Sequence, residues 1–223
     1  MRKTTCLLFG AVALSALVGC SAEAGKNDAT EKTAAPQETS ATPAVATIDQ
    51  PAPAFTLTDT EGTVHSLSDF KGKYVVLEWI NFDCPFVVKH YSSGNMQSLQ
   101  KKYMESGVVW LTICSSAPGK QGYFEGEELA SRMEAEEWMG TAYLADPTGA
   151  VGKAYGATNT PHMYVISPEG MLIYAGAIDD TPSTKTADIP TSANYVVAAL
   201  DAVVAGQPVA TKATAAYGCA VKY

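Results

Sequence analysis

The alternation of apolar and polar residues beyond position 53 resolves into short, distinct runs. Ala54-Phe55-Thr56-Leu57-Thr58 and Val64-His65-Ser66-Leu67 flank Asp59-Thr60-Glu61-Gly62-Thr63, which predicts a hairpin. Tyr74-Val75-Val76-Leu77-Glu78-Trp79-Ile80 is almost continuously apolar, as in a strand covered on both faces. Pro85 suits the first turn of a helix, and Met96, Leu99 and Tyr103 give the following segment one apolar face, with Gly94 bending or interrupting it. Val108 to Cys114 reads as a second buried strand, 115–126 as a loop, and Glu127 to Met139 as an acidic helix. A short strand (142–145), a short helix (150–155), a hairpin across Pro168-Glu169-Gly170 and an amphipathic helix from Tyr195 to Val204 complete an α/β layout with a mixed sheet.

The first residues have a different character. Arg2 and Lys3 precede an apolar run, Leu7 to Val18, that is short for a membrane span and reads as an export signal, residues 1–19. The run ends in Leu17-Val18-Gly19-Cys20, which resembles the bacterial lipobox; Cys20 would then be acylated and anchor the protein to a membrane. Residues 20–52 are rich in Ala, Thr, Glu, Pro and Lys, have no aromatic residue, and are expected to be a disordered linker. A tether of about 30 such residues would span roughly 30 Å. The expected organisation is therefore signal, linker, a domain over 53–206, and a tail over 207–223 that carries Cys219.

Charge narrows the partners. The full chain has a formal net charge of −8, and removing Arg2 and Lys3 makes it more acidic, leaving Arg132 as the only arginine. Nucleic acid, whose phosphates need clustered basic groups, is excluded as a partner class.

The order of elements, Cys84-Pro85 at the turn from the first buried strand into a helix, and Asn159-Thr160-Pro161-His162 before the second hairpin resemble the thioredoxin-like superfamily. Val75-Val76-Leu77-Glu78-Trp79, the N-terminal hairpin and Gly170-Met171-Leu172-Ile173-Tyr174-Ala175-Gly176 are closer to its redoxin or peroxiredoxin-like (AhpC/TSA-related) branch. The resemblance covers about 52–205. It implies a central mixed sheet flanked by helices with an N-terminal β-hairpin extension, a cis bond before Pro161, and a substrate groove shaped by Pro161; Pro85, Thr160 and His162 are the other expected groove residues, with a hydrogen-bonded strand histidine the alternative for His162. The departures are specific: the peroxidase pattern Pro-x-x-x-Thr-x-x-Cys is replaced at Leu77 and Asn81, and the adjacent resolving cysteine of thioredoxins is replaced by Val87.

Cys84 at a helix N-terminus gains from the unpaired N–H groups and the macrodipole, which lower a thiol pKa, although Asp83 opposes this; the alternative is a buried, inert cysteine. Glu78 is either a buried carboxylate beneath the sulfur, able to exchange protons, or a glutamate on a solvated edge. His90 lies about 9 Å of rise and roughly 240° around the helix from Cys84 and faces away, so Lys89 and His90 are expected to border the groove. Cys219, in a tail expected to move freely, is a candidate remote resolving thiol, or else docked and unpaired. Cys114 reads as core, with adjacency to Cys84 the alternative.

These residues point to an extracytoplasmic thiol-disulfide oxidoreductase, lipid-anchored and facing the periplasm, that attacks with Cys84 and needs no cofactor. Its partners would be a disulfide-bearing protein or a small thiol or peroxide, and an external electron donor. A thiol peroxidase is the first alternative. A copper-binding module built on Cys84 with His90, His162 or Met163 is the second, and no metal-ligand spacing supports it.

Overall fold

The computed structural model describes residues 45–223, so the signal segment, Cys20 and most of the linker lie outside the described residues. The N-terminal hairpin is β1 (Thr56–Asp59) and β2 (Val64–Ser66), and the first buried run is β3 (Val75–Trp79). There follow α1 (Pro85–Ser92), α2 (Asn95–Glu105), β4 (Val109–Cys114), α3 (Gly126–Ala135), β5 (Ala142–Ala145) and α4 (Ala150–Tyr155). The chain ends with β6 (Asn159–Thr160), β7 (His162–Ile166), β8 (Leu172–Gly176), α5 (Tyr195–Val204) and β9 (Cys219–Ala220).

Seven strands form one mixed sheet in the order β2-β1-β5-β4-β3-β7-β8, with β3, β4 and β5 parallel and the others antiparallel to their neighbours. This is the expected thioredoxin-like α/β arrangement with its hairpin extension. Alternation along β3 divides the core. Val76 and Ile80 join an apolar cluster with Val87 and Tyr91 of α1, Met96 and Leu99 of α2, Leu129 of α3 and Leu200 of α5. Val75, Leu77 and Trp79 face Phe55, Tyr155 and Tyr164 on the other side. Both faces are covered, which is why the run reads as almost uninterrupted hydrophobic sequence.

The helical break falls at Gly94, whose φ of 71° is left-handed and costs an L side chain energy that glycine avoids. The acidic helix is shorter than its composition suggests. It ends at Ala135, where Glu137 takes a φ of 49° and the N–H groups of Glu137 and Trp138 bond back to the carbonyls of Glu134 and Met133, a Schellman-type stop.

Two segments expected to be loose are seated. Residues 46–52 bond to Ala154, Gly170 and Leu172, so the ordered part begins ahead of position 53. Instead of moving freely, the C-terminal tail runs along β8, where Ala175 N donates to Lys212 O (3.0 Å) and Thr214 N to Ala175 O (3.1 Å). It thereby covers an otherwise open sheet edge. It then crosses to β6, where β9 pairs antiparallel with Thr160 opposite Cys219 and Asn159 opposite Ala220. No helix among the described residues is long and apolar enough to cross a membrane.

Candidate active site

Cys84 occupies the N-cap of α1, in extended backbone conformation, with Pro85 as the first helical residue. Its N–H closes a turn onto Asn81 O (2.9 Å), and Asn81 Oδ1 accepts from Asp83 N (2.8 Å), so the connection from β3 is fixed from within. Arg132 holds the same turn from outside. Its Nη2 donates to Phe82 O (3.0 Å) and lies 3.4 Å from Asp83 Oδ1, with Glu136 3.3 Å away on its own helix. Its polar contacts are with this turn and with Glu136.

The Cys84 thiol is 0 % exposed and donates to Thr160 O at 3.1 Å, across the cis Thr160–Pro161 bond that the resemblance implies. The tail supplies its other neighbour. Because Cys219 is paired with Thr160 in the β6–β9 ladder, its side chain lies against the Cys84 sulfur. Burial raises the Cys84 thiol, but hydrogen bonds from the Cys219 thiol, the Thr160 hydroxyl and the N–H groups of Cys219 and Val87 outweigh that, leaving it below the ordinary cysteine value. Cys219 moves the opposite way, to about 11, through burial and then through its hydrogen bond to, and the charge on, Cys84; Lys222 opposes this rise. The two thiols therefore titrate as one coupled pair, shifted down at Cys84 and up at Cys219.

Local chemistry explains why the tail docks here. Val221 N donates to Thr158 O (3.0 Å), Asn159 Nδ2 to Gly218 O (2.9 Å), Ala117 N to Lys222 O (2.8 Å) and Tyr223 Oη to Ala157 O (2.6 Å). Gly218 has a φ of 115°, and a Cβ there would stand 2.0 Å from Thr160 O. Only glycine lets the backbone come this close.

Other candidates lie elsewhere. Glu78 is fully buried on the α1 and α2 side of β3, so the solvated-edge alternative is ruled out. Its carboxyl is met by Trp110 Nε1 (2.6 Å), Tyr91 Oη (2.9 Å), Gln100 Nε2 (3.2 Å) and Thr112 Oγ1 (3.3 Å). Cys84 is not among its partners. Burial raises the Glu78 pKa against these hydrogen bonds. His162 pairs with Trp79 and stacks on Tyr164 at 4.5 Å, accepting at Nδ1 from Thr158 N (3.4 Å) and sitting 3.2 Å from Tyr164 Oη. Strand alternation places it on the Trp79 face, opposite Met163 and Glu78, and burial brings its pKa down to about 4. The structure does not bring it into the cysteine pocket with Pro85, Thr160 and Pro161.

Lys89 and His90 do not border a groove. Both are buried around Asp179: Lys89 Nζ is 3.1 Å from Asp179 Oδ2 and donates to Thr181 O, while His90 Nε2 lies 3.7 Å from the same carboxylate oxygen. Burial brings His90 down to about 4, with Asp179 pulling up and Lys89 pushing down. Cys114 is buried and donates to Gly122 O at 3.3 Å, as a core thiol would. Among the described residues no group of three or more His, Cys, Asp and Glu converges as a metal site. The Tyr217 hydroxyl donates to Asp179 Oδ1, a contact between two residues that carry no motif in the sequence; Tyr217's place two positions before Cys219 is the one signal.

The family model for AhpC/TSA matches residues 48–175. Among solved structures, the chain is similar to an uncharacterised conserved protein from Geobacillus kaustophilus at 29 % identity and a TM-score of 0.67, covering 79 % of this chain and 92 % of that one. A hypothetical protein from Sinorhizobium meliloti 1021 matches at 28 % identity and a TM-score of 0.64, with 79 % and 94 % covered. No curated protein matches. With a match over more than half its length and a thioredoxin-like fold carrying Cys84 at the strand-to-helix turn, the chain belongs to the AhpC/TSA family.

Proposed function

We propose that the protein is a thiol-disulfide oxidoreductase in which Cys84 is the attacking thiol and Cys219 the resolving one. The observation that carries this reading is the antiparallel pairing of Cys219 with Thr160, which sets the second thiol against the first. In the reaction, the Cys84 thiolate bonds to one sulfur of a substrate disulfide and the other sulfur departs as a thiolate. Cys219 then attacks Cys84 Sγ, releasing the second substrate thiolate and its own proton and closing a Cys84–Cys219 disulfide. Two electrons pass to the substrate. An external dithiol returns them: one of its thiolates attacks Cys219 Sγ and Cys84 leaves as the thiolate, and the donor's second thiol then displaces Cys219, closing the donor's own disulfide. The proton held on Cys219 keeps it from competing for the substrate, and the lowered Cys84 pKa makes Cys84 the better leaving group when the disulfide is reopened.

Because Cys84 is fully buried with the tail's Cys219 against it, a protein substrate requires β9 to lift, whereas a small oxidant needs less room. That favours, as a second reading, reduction of a peroxide with Cys84 sulfenic acid as the intermediate, condensing with Cys219 to the same disulfide and water. Cys20 lies in the sequence that resembles a lipobox, and the reading places the domain at a bacterial membrane, facing the periplasm. The test compares rates of reduction of a model protein disulfide and of hydrogen peroxide by the reduced protein. Cys84-dependent turnover of the protein disulfide supports the first reading; turnover confined to peroxide moves the assignment to the second, and neither reaction removes both.

A further inference from the structure

The tail has a second attachment, on the opposite side of Cys219 from Ala220. Tyr217 donates its hydroxyl to Asp179 Oδ1, which also accepts from Thr181 N (3.0 Å), while Asp179 Oδ2 holds Lys89 Nζ at 3.1 Å. The Tyr217 ring meets Phe86 edge-on, centroids 5.7 Å apart. Lys89 and Phe86 belong to α1, the helix capped by Cys84. One residue, Gly218, separates the anchored tyrosine from Cys219.

We propose that Tyr217 is a positioning residue for the Cys84–Cys219 couple: the β6–β9 pairing sets Cys219 opposite Thr160, and the Tyr217 hydroxyl, seated on the buried Asp179–Lys89 pair, ties the residue on the other side of Gly218 to α1, so that the Cys219 sulfur is held against Cys84 from both directions. This rests on the reading of those two cysteines as one redox pair.

The dimensions agree. From Tyr217 to Cys219 the chain spans at most about 7 Å, and from Cys84 to Lys89 the helix rises roughly 7.5 Å. The two spans are of the same order, so an anchor at Phe86 and Lys89 lies within reach of the Cys219 position beside Cys84. The acceptor matters too. Asp179 is almost fully buried beside a buried lysine, and hydrogen bonds to an ionised carboxylate are shorter and stronger than neutral ones. The far end of the tail is held on other elements, with Tyr223 Oη on Ala157 O. That contact keeps the tail on the domain without fixing its height along α1.

The test uses Tyr217→Phe, which keeps the ring on Phe86, with Tyr223→Phe as the comparison. The full chain and both variants are equilibrated in glutathione redox buffers, the Cys84–Cys219 disulfide is quantified by mass, and iodoacetamide alkylation of Cys84 is timed in the reduced proteins. A tail loosened by loss of this hydrogen bond predicts about a tenfold fall in the disulfide equilibrium constant for Tyr217→Phe and faster Cys84 alkylation, with the melting temperature lowered by a few degrees. Tyr223→Phe should move the constant much less. An unchanged constant in Tyr217→Phe, or an equal fall in both variants, overturns the positioning role while leaving the redox pair intact. Failure of the unaltered protein to form the disulfide removes the pair and the positioning role together.

Discussion

Cys84 and Cys114 make an instructive pair, because the simplest descriptors do not separate them. Both follow or end neighbouring parallel strands, both are buried, and both donate to a backbone carbonyl, Thr160 O at 3.1 Å and Gly122 O at 3.3 Å. What differs is what else reaches the sulfur. Cys84 caps a helix and lies beside the Cys219 thiol of the tail; Cys114 leads into a loop, and its side-chain partner is the hydroxyl of Tyr143 in the core. Burial and a carbonyl partner therefore do not set the two thiols apart; what distinguishes Cys84, and carries the proposed role, is a helix N-terminus with a second thiol beside it.

The largest expected contrast breaks that comparison directly. Cys84→Ser should slow disulfide reduction by at least about a thousandfold, since it removes the covalent nucleophile. Cys114→Ala should cost about 1 kcal/mol of stability and leave turnover essentially unchanged. Comparable losses in steady-state rate from both would place the two cysteines in one site. Next in size is Cys219→Ser, for which turnover should fall roughly ten- to a hundredfold, as resolution passes from an intramolecular thiol to one from solution. A Cys84-linked mixed disulfide with substrate should accumulate, visible as an added mass on the Cys84 peptide.

The smallest effect concerns Glu78→Gln. Glu78 has its pKa raised by burial, so its protonated form contributes stability fully at pH below the ordinary glutamate value, and that contribution is lost as pH rises through the raised one. Replacing it with a neutral amide should flatten the dependence of melting temperature on pH in that window while leaving Cys84 alkylation unaltered. A changed Cys84 alkylation profile would instead connect Glu78 to the sulfur and restore the catalytic role its position suggested.

Much of this was legible in the chain. The buried strands, the interruption at Gly94 and the Cys84-Pro85 cap follow from local pattern, because each is dictated by neighbours within a few residues. His162 was not: its place after Pro161 suggests the groove, and only the observed facing of Met163 and Val165 toward the helices puts it on the other side of β7. Nor was the tail. Residues 207–223 have no sustained alternation, and β9 exists only because β6, some sixty positions earlier, offers it a backbone edge. Lys89 shows the same limit. A lysine in an amphipathic helix is expected to border solvent, and its burial depends on Asp179, ninety positions away.

The central claim is that Cys84 and Cys219 form one redox couple from which Cys114 is excluded. Oxidising the reduced protein with a stoichiometric disulfide, alkylating what remains free, and mapping the peptides without reduction tests it most directly. The account predicts a Cys84–Cys219 linked peptide with Cys114 alkylated. A Cys84–Cys114 peptide, or Cys84 alkylated throughout, would contradict it.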